Sequence, residues 1–338
     1  MNNILLKSVT FIPFNSIHTR PLLSSFVQHF VASNYANGVT GTVEFQAVMG
    51  MLTLLFALSL WKILYNPTIR TLVPDKWIAF KLIKKENVSH DTIKVTFENP
   101  KGPNAILGLP IGQHISFKFR DQDGKDVIRS YTPVTGDEVP GLVTFIIKVY
   151  KPNVHPKFPE GGKMSQYVDG VEIGGEVLMR GPKGSLDYKG QGMFDVIKPR
   201  KPVDSRKCKH IGMIAGGTGL TPMLQVIMAV LRDENDHTTT LHLLLANQTA
   251  SDILLKPTLD NLAKKYPTRF NVAYTLDRPP PSWPGPSGFI TKKMIDEHLP
   301  TAAHDVQIFM CGPPPMIKFA CEPNLEKAGF KSNQIYAF

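Results

Sequence analysis

Two motifs in the first half of the chain combine side chains that suit a ligand with phosphates and a flat ring. Residues 129–133, RSYTP, place a guanidinium, a phenol and hydroxyl groups close together. Arginine binds phosphate in a bidentate manner and tyrosine offers a flat face with a hydrogen-bonding tip, so this motif predicts contacts with a pyrophosphate and a ring. Residues 161–167, GGKMSQY, join a glycine turn to a helix start, where free backbone amides favour an anion.

Two further motifs follow apolar strands in the second half of the chain. In residues 212–223, GMIAGGTGLTPM, a strand runs into a glycine turn and a helix, which predicts a site for a diphosphate or a ribose. Pro222 takes the place of the third glycine in the G-x-G-x-x-G fingerprint, which weakens the case for a generic NAD dehydrogenase. Residues 311–316, CGPPPM, would direct the thiol of Cys311 into a cleft, although a lone cysteine can also be a small core residue.

Period-two patterns predict an antiparallel β domain around the first two motifs. The predicted strands are residues 79–84, 92–97, 114–119, 127–131, 143–150 and 171–180. Residues 121–124, DQDG, have the composition of a hairpin turn between two of these strands. The first domain is therefore expected to be all β.

From His210 onward, apolar strands alternate with helices. The predicted strands are residues 211–215, 240–246, 270–276 and 307–310, and the predicted helices are residues 222–231, 256–265 and 292–298. This βαβ rhythm predicts a parallel sheet that binds a nucleotide at the carboxyl ends of its strands. The segment 189–209 is rich in Gly, Pro, Lys and Arg and has little periodicity, so we predict that it links the two domains.

Composition limits the possible classes of protein. A chain of 338 residues, 42% hydrophobic and 20% charged, can bury two cores, which excludes a disordered protein. The net charge of +10 favours phosphates, anionic lipid or an acidic partner protein. Three cysteines, none of them in a C-x-x-C pair, argue against a disulfide framework or a zinc site and favour a reducing compartment. Nucleic-acid binding ranks last, because the lysines are scattered.

The N-terminal part contains one long apolar segment. Residues 45–61 carry no charge, and we predict a transmembrane anchor over residues 44–65, with a buried core helix or a late signal peptide as the alternatives. The charge bias around it places the C-terminal part in the cytosol. Residues 1–43 have the composition of either a mitochondrial presequence or a plain tail, and residues 66–77 are predicted to be a tether. Truncation before about Val73 is expected to release a soluble, active protein.

The order of the four motifs identifies a family. Together with the segments LGLPIGQH, IKVY, HPKFPEGGKMSQY, ANQTASDILL and YTLDRPP, they closely resemble NADH-cytochrome b5 reductases from about residue 80 to residue 338. The resemblance implies a β + α/β fold of the ferredoxin-NADP reductase type. An antiparallel FAD-binding β-barrel over residues 78–188 would be followed by a Rossmann-like NADH-binding domain over residues 210–338, with FAD in the cleft between them.

The resemblance also implies the site residues. The catalytic group would be Thr132, His114, Cys311 and Lys148, with His114 the partner of Thr132 in a proton route and Lys148 also near NADH. The flavin contacts would be Arg129, Ser130, Tyr131, Thr132, Ile146, Lys148, Tyr150, Gly162, Lys163, Met164 and Ser165. The nucleotide side would be formed by Gly217, Thr218, Thr221, Asp277, Phe289, Cys311, Gly312, Pro313 and Met316. No metal is expected.

The resemblance implies electron transfer from NADH through FAD to cytochrome b5, an acidic haem protein. Asp277 would bind the adenosine ribose and favour NADH over NADPH, with Arg278 beside it as a limit on that preference. The enzyme would be a monomer held by its one helix in the endoplasmic reticulum or mitochondrial outer membrane and active in lipid metabolism. Lys151 departs from the family pattern, in which an aromatic residue often follows Tyr150. A quinone or other haem acceptor, and a scaffold that has lost turnover, remain the alternatives.

Overall fold

The computed structural model describes residues 43–64, 68–154 and 158–338. The chain divides into two compact units, residues 1–67 and residues 68–338. In the first unit, the described residues form helix α1 (Val43–Leu64), with apolar side chains such as Met51, Leu54 and Phe56 exposed. The predicted helix at 44–65 is therefore present. Within the described ranges, however, no helix has both the length and the apolar character that crossing a membrane requires. The predicted tail lies outside the described residues except for Val43.

The second unit begins within the segment that was predicted to be a tether. The amides of Thr71 and Leu72 donate to the carbonyls of Ile106 and Leu107, at 3.0 and 3.1 Å. Thr71 is fully buried, and its hydroxyl donates to Asn99 Oδ1 at 2.6 Å. This segment is therefore part of the first folded domain, because the backbone of Ile69, Thr71 and Leu72 pairs with residues 106 and 107 and the side chains of Thr71 and Leu72 are buried.

The first domain is built on a six-stranded antiparallel sheet. Its strands are β1 (Ile78–Ser89), β2 (Thr92–Glu98), β3 (His114–Arg120), β4 (Asp126–Tyr131), β5 (Leu142–Lys148) and β6 (Glu176–Lys183), in the order β4-β3-β6-β1-β2-β5. The predicted strand at 171–180 begins later, because helix α2 (Lys163–Gly170) and a turn precede it. Beyond β4, the amide of Val134 donates to the carbonyl of Thr144 in β5 at 2.8 Å, which joins the two edges of the sheet as a barrel requires.

Alternating side chains of these strands fill the core of the first domain. Phe97, Phe117 and Phe145 pack edge to face, with ring centroids 4.8 to 6.1 Å apart. The predicted hairpin turn is confirmed between β3 and β4, where Gly124 has φ +74° and the carboxylate of Asp121 accepts two backbone amides. This turn fixes the register that brings the RSYTP motif to the end of β4.

The segment predicted as a linker folds into a small sheet. Strands β7 (Leu186–Gly190), β8 (Met193–Val196) and β9 (Asp204–Lys207) are antiparallel, in the order β7-β8-β9. The glycines and lysines hide the period-two signal, yet Phe194 and Val196 are buried in the core of the second domain. The passage between the two domains is therefore ordered structure.

The second domain is a parallel sheet, as predicted. Its strands are β10 (His210–Gly216), β11 (Thr240–Asn247), β12 (Phe270–Leu276), β13 (Val306–Cys311) and β14 (Ile335–Ala337), in the order β12-β11-β10-β13-β14. Its helices are α3 (Leu220–Arg232), α4 (Lys256–Lys265), α5 (Lys292–His298) and α6 (Glu322–Lys327), with helical turns at Gly217–Gly219, Ala250–Asp252, Pro314–Met316, Ile317–Cys321 and Ser332–Gln334.

Both faces of this sheet are buried. Met213 and Ala215 of β10 pack with helix α3 on one face, while Ile214 packs with residues of α5 and α6 on the other. The strand order reverses direction between β10 and β13, and parallel sheets bind ligands beyond the carboxyl ends of such neighbouring strands. The glycine turn after β10 and the CGPPPM motif after β13 are thus placed side by side at that position.

Candidate active site

A single large cleft, with a volume of about 1940 Å³, contains the predicted site residues. The structure brings all of the following to its wall: His114, Arg129, Ser130, Tyr131, Thr132, Ile146, Lys148, Tyr150, Gly162, Lys163, Met164, Ser165, Gly217, Thr218, Thr221, Asp277, Phe289, Cys311, Gly312, Pro313 and Met316. The residues come from both sheets, so the cleft lies between the two domains. Their individual roles remain predictions.

The floor on the nucleotide side is formed by two turns in close contact. Gly217 has φ +54°, a conformation that favours glycine, and the turn leads into helix α3. A β-carbon on Gly219 would lie 2.2 Å from the carbonyl oxygen of Cys311. Because a larger residue would clash there, the backbones after β10 and β13 lie in direct contact at the end of the sheet, beside the start of helix α3.

Arg129 and Tyr131 stand at the end of β4. The guanidinium of Arg129 donates to the carbonyl of Ile128 at 2.7 Å, and within the described ranges it has no carboxylate partner. Tyr131 packs against Phe117 with ring centroids 4.7 Å apart. Burial raises the pKa of Tyr131 to about 12, against the smaller opposing effect of Arg129, so its hydroxyl stays neutral and can donate a hydrogen bond.

The GGKMS motif is tied to the strand that ends in IKVY. The amide of Gly162 donates to the carbonyl of Tyr150 at 2.8 Å, and the amide of Tyr150 donates to the hydroxyl of Ser165 at 3.1 Å. These bonds hold the start of α2 against the end of β5, while Tyr150 remains 52% exposed and lines the cleft. Lys151, which departs from the family pattern, also lines the cleft. Lys163 lies 3.5 Å from Asp121 of the hairpin.

Two groups in the cleft are held in their neutral forms. Burial, with the charge of Lys183, lowers the pKa of His114, which favours the unprotonated imidazole. Burial raises the pKa of the Cys311 thiol to about 11, so it is protonated at neutral pH. Cys311 therefore lines the cleft as a neutral, polarizable group and is a poor nucleophile.

Asp277 lies at the carboxyl end of β12, where its amide donates to the carbonyl of Asn247 at 3.0 Å. Partial burial raises the pKa of Asp277, and the charge of Arg278 acts in the opposite direction. The guanidinium of Arg278 donates to Gln248 Oε1 at 2.8 Å. Gln248 lines the cleft with Asp277, so the adjacent arginine is engaged by a neutral side chain at the same place.

Sequence reasoning missed an ion cluster beside the cleft. Lys148 Nζ lies 2.7 Å from Asp91 Oδ2 and 3.3 Å from Asp252 Oδ1. Burial alone would lower the pKa of Lys148, but the hydrogen bond and charge of Asp91, together with Asp252, raise it above its ordinary value. Asp91 lies in the turn between β1 and β2, and Asp252 belongs to the ANQTASD segment, which only the family resemblance had drawn attention to.

Phe338 also lines the cleft and was not among the predicted site residues. The amide of Phe338 donates to the carbonyl of Met310 in β13 at 2.9 Å, and its ring lines the cleft. The ring packs against Phe309 and Tyr336 with centroids 5.8 and 5.1 Å away. Strand β14, which ends just before Phe338, is too short to show a hydrophobic period in the sequence.

The cleft fits a flavin and a pyridine nucleotide. Among the described residues, the Arg129 guanidinium has no acidic partner, and Tyr131 and Tyr150 supply flat surfaces. Helices α2 and α3 begin directly after the two glycine turns, and the amides of a first helical turn have no partner within the helix. Arg129 and the GGKMS turn would hold the FAD diphosphate, and the turn after β10 and Asp277 would hold the nucleotide. The volume of the cleft exceeds that of a typical small-ligand pocket, as two cofactors require.

Comparison with known proteins agrees that the first domain binds FAD and the second binds a pyridine nucleotide. Residues 79–188 match the oxidoreductase FAD-binding domain, and residues 213–322 match the oxidoreductase NAD-binding domain. These two domains, in this order, define the chain as a flavin- and pyridine-nucleotide-binding oxidoreductase.

Similar proteins identify the family within this class of oxidoreductases. It is 51% identical over 267 residues to NADH-cytochrome b5 reductase 2 of Gallus gallus, with 78% of this chain and 86% of the relative covered. It is 50% identical over 275 residues to NADH-cytochrome b5 reductase 3 of Rattus norvegicus, with 81% and 90% covered. The chain belongs to the NADH-cytochrome b5 reductase family, and the predicted recognition is confirmed.

A solved structure supports the same fold. The cytochrome b5 reductase domain of Ulva prolifera nitrate reductase has a TM-score of 0.75 and 43% identity, covering 80% of this chain and 100% of that domain. The antiparallel FAD-binding domain and the parallel NAD-binding domain are therefore confirmed.

Proposed function

We propose that this protein transfers electrons from NADH through FAD to cytochrome b5. The observation that carries the proposal is the cleft, in which the RSYTP and IKVY strands of the first domain face the glycine turn and the CGPPPM motif of the second. FAD, when bound, accepts the two electrons of a hydride and releases them one at a time. The protein supplies binding, orientation and a proton route.

The individual residues divide this work. Arg129 would bind the FAD diphosphate, Tyr131 and Thr132 would contact the ring, and the GGKMS turn would hold the remaining phosphate oxygens. His114, kept unprotonated by burial, would be the partner of Thr132 in a proton route. On the nucleotide side, Asp277 binds the adenosine ribose and disfavours a 2′-phosphate.

The side chains around the nicotinamide would mainly exclude water from it. Cys311, neutral because its pKa is about 11, lines the cleft with Pro313 and Met316 and would pack with them against the nicotinamide. Thr218 and Thr221 lie where the two cofactors would meet, and Thr221 Oγ1 donates to the carbonyl of Thr218 at 3.2 Å. We propose domain limits that differ from the predicted ones at two places. The first domain includes Thr71 and Leu72, and the small sheet of β7 to β9 packs with the second domain.

Cytochrome b5 is the proposed partner, recognised by charge. An acidic haem protein suits a chain of net charge +10, and the encounter should weaken with salt because exposed charges are screened. The protein is proposed to act as a monomer, since the described cleft is formed within one chain.

One absorbance experiment tests the electron path. The purified protein should show flavin bands that bleach on anaerobic addition of NADH and recover when oxidised cytochrome b5 is added and its haem is reduced. Flavin that bleaches without reducing the haem would point to another acceptor such as a quinone. A protein without flavin would contradict the proposal and favour a scaffold.

We further propose that helix α1 attaches the enzyme to a membrane and leaves the catalytic part in the cytosol. Its support is the run of exposed apolar side chains, including Leu54, Leu55 and Phe56. The endoplasmic reticulum and the mitochondrial outer membrane are the proposed locations, and lipid metabolism is the proposed setting. Alkaline extraction of cell membranes should leave the full chain in the pellet and a chain starting at Thr68 in the supernatant. Release of both would contradict the anchor.

A further inference from the structure

The ion cluster beside the cleft joins the two domains. Lys148 ends strand β5 of the first domain, and Asp252 lies in the loop after β11 of the second, 104 residues further along the chain. The third member, Asp91, belongs to the turn between β1 and β2. A single ammonium group is thus shared by one carboxylate from each domain, at 2.7 and 3.3 Å.

Each carboxylate uses one oxygen locally and gives the other to Lys148. Asp252 Oδ2 accepts from the amide and the hydroxyl of Thr249, at 3.0 and 2.6 Å, while Oδ1 faces the lysine. Asp91 Oδ1 accepts from the hydroxyls of Ser89 and Thr92, at 3.2 and 3.0 Å, while Oδ2 faces the lysine. Local hydrogen bonds therefore fix both carboxylates, so the two aspartates lose little further conformational entropy when they bind Lys148.

The cluster is shielded more than an ordinary surface ion pair. The side chains of Lys148, Asp91 and Asp252 are 25%, 20% and 10% exposed. His90, with its side chain 63% exposed, lies 3.4 Å from Asp91 and 3.9 Å from Asp252. Although His90 and the two carboxylates are close enough to hold a metal ion, the ammonium group of Lys148 already supplies the positive charge.

We propose that Asp252 is a positioning residue, which acts through Lys148 by fixing its ammonium group at the boundary of the two domains beside the nucleotide end of the cleft. Lys148, Asp252 and Tyr150 all line that cleft. The inference rests on the proposed function in one respect, the presence of NADH beside Lys148. The two carboxylates decide where the lysine charge lies, and NADH then meets a cation already in place.

The test is a double-mutant cycle on the FAD-loaded protein. Asp252→Asn keeps an oxygen for the amide of Thr249 and removes the charge that faces Lys148. Lys148→Met removes the ammonium group. The matched control is Asp296→Asn, which removes a carboxylate from the exposed pair that Asp296 forms with Lys292 within helix α5. Each variant is assayed for KM and kcat with NADH, and for melting temperature without NADH.

Asp252→Asn is expected to raise KM for NADH by about three- to tenfold, the loss of roughly one charged hydrogen bond, with a smaller change in kcat. When Asp252→Asn is added to the Lys148→Met variant, KM should not change further, because the lysine through which Asp252 acts is gone. Asp252→Glu should restore part of the loss, and Asp296→Asn should match the wild type.

Effects on KM that simply add in the double variant would overturn the positioning role, whatever happens to the melting temperature. An Asp252→Asn protein with the KM of the wild type would also overturn it. The melting cycle keeps this test separate from the proposed function. Non-additive melting shifts that shrink in high salt would report the contact between the domains even if NADH failed to reduce the flavin.

Discussion

Gly219 and the carbonyl oxygen of Cys311 are so close that a β-carbon on the glycine would lie 2.2 Å from that oxygen. The contact joins the turn after β10 to the end of β13, the two strands between which the order of the sheet reverses. The position of the nucleotide site therefore depends on a residue without a side chain.

Gly219→Ala should lower the melting temperature and raise KM for NADH severalfold, because one of the two backbones must move. Gly217→Ala is the matched comparison. Nothing lies within 4 Å of its added carbon, so only its φ of +54° is strained, at a cost of about 1 kcal/mol. Thermal melting and NADH kinetics compare the two variants, and a milder effect at Gly219 than at Gly217 would contradict the close-packed floor.

The thiol of Cys311 should react slowly with iodoacetamide at neutral pH. Because burial raises its pKa to about 11, the thiolate is scarce at pH 7, and the rate should rise about tenfold for each pH unit toward that value. Mass spectrometry of the alkylated protein measures the rate. Cys208 and Cys321, buried and with pKa values of about 12, serve as internal references. A rate that levels off near pH 8 would show an activated thiolate instead.

Asp277→Ser should raise the relative use of NADPH, since it removes the carboxylate that would repel a 2′-phosphate. The neighbouring Arg278 could then turn from Gln248 toward the phosphate. The ratio of kcat/KM for the two nucleotides measures the change, which should be at least tenfold, or about 1.4 kcal/mol. Asp296→Ser controls for loss of charge elsewhere. An unchanged ratio would remove Asp277 from the specificity argument.

The soluble enzyme should begin at Thr68 and not at Val73. A chain that starts at Val73 lacks Thr71 and Leu72, which are 0% and 7% exposed and hydrogen-bond to Ile106 and Leu107. Loss of the Leu72 side chain alone should cost about 3 kcal/mol, or roughly 5 to 10 °C in melting temperature. Calorimetry of the two FAD-loaded truncations checks this. Equal melting temperatures would show that these residues add nothing to the domain.

Stability should fall as the pH drops below about 6.5, the ordinary pKa of histidine, in part because of His114. Burial and Lys183 lower the pKa of His114 in the folded protein, so the unfolded chain takes up more protons in this range and is favoured. This contribution is fully present above the unfolded pKa and is lost as the pH falls through the folded one. His114→Asn should flatten the dependence of melting temperature on pH. A pH dependence as steep in His114→Asn as in the wild type would contradict this contribution of His114.

Regular hydrophobic patterns made much of the fold predictable. Strands such as Phe270–Leu276 and helices such as Lys256–Lys265 follow the predicted limits. Period-two patterning failed at residues 186–207, where β7 to β9 are short and their buried residues Phe194 and Val196 stand among glycines and charges. That sheet depends on packing against residues distant in the sequence, and a short stretch of sequence does not reveal such packing.

The site divides in a similar way. The glycine turn after β10 and Cys311 after β13 could be predicted to meet, because the carboxyl ends of neighbouring parallel strands share one edge. Arg129 lies on the antiparallel strand β4, and only the family resemblance predicted that it shares their cleft. The pairing of Lys148 with Asp91 and Asp252 could not, since it joins three loops and strand ends that are far apart in the sequence. Isolated aspartates beside serine or threonine are usual in turns, so neither carboxylate carries a local signal.

The small sheet of β7 to β9 has a consequence for exchanging domains between related reductases. Tyr188 and Phe194 of this sheet are buried with Met223 and Val226 of helix α3, and Ser185 hydrogen-bonds to the hydroxyl of Tyr336 at 2.8 Å. A crossover placed at residue 189 would divide one sheet between two parents. A chimera should instead inherit residues 185–338 from one parent, so that the NADH specificity of the second domain travels with the strands that pack against it.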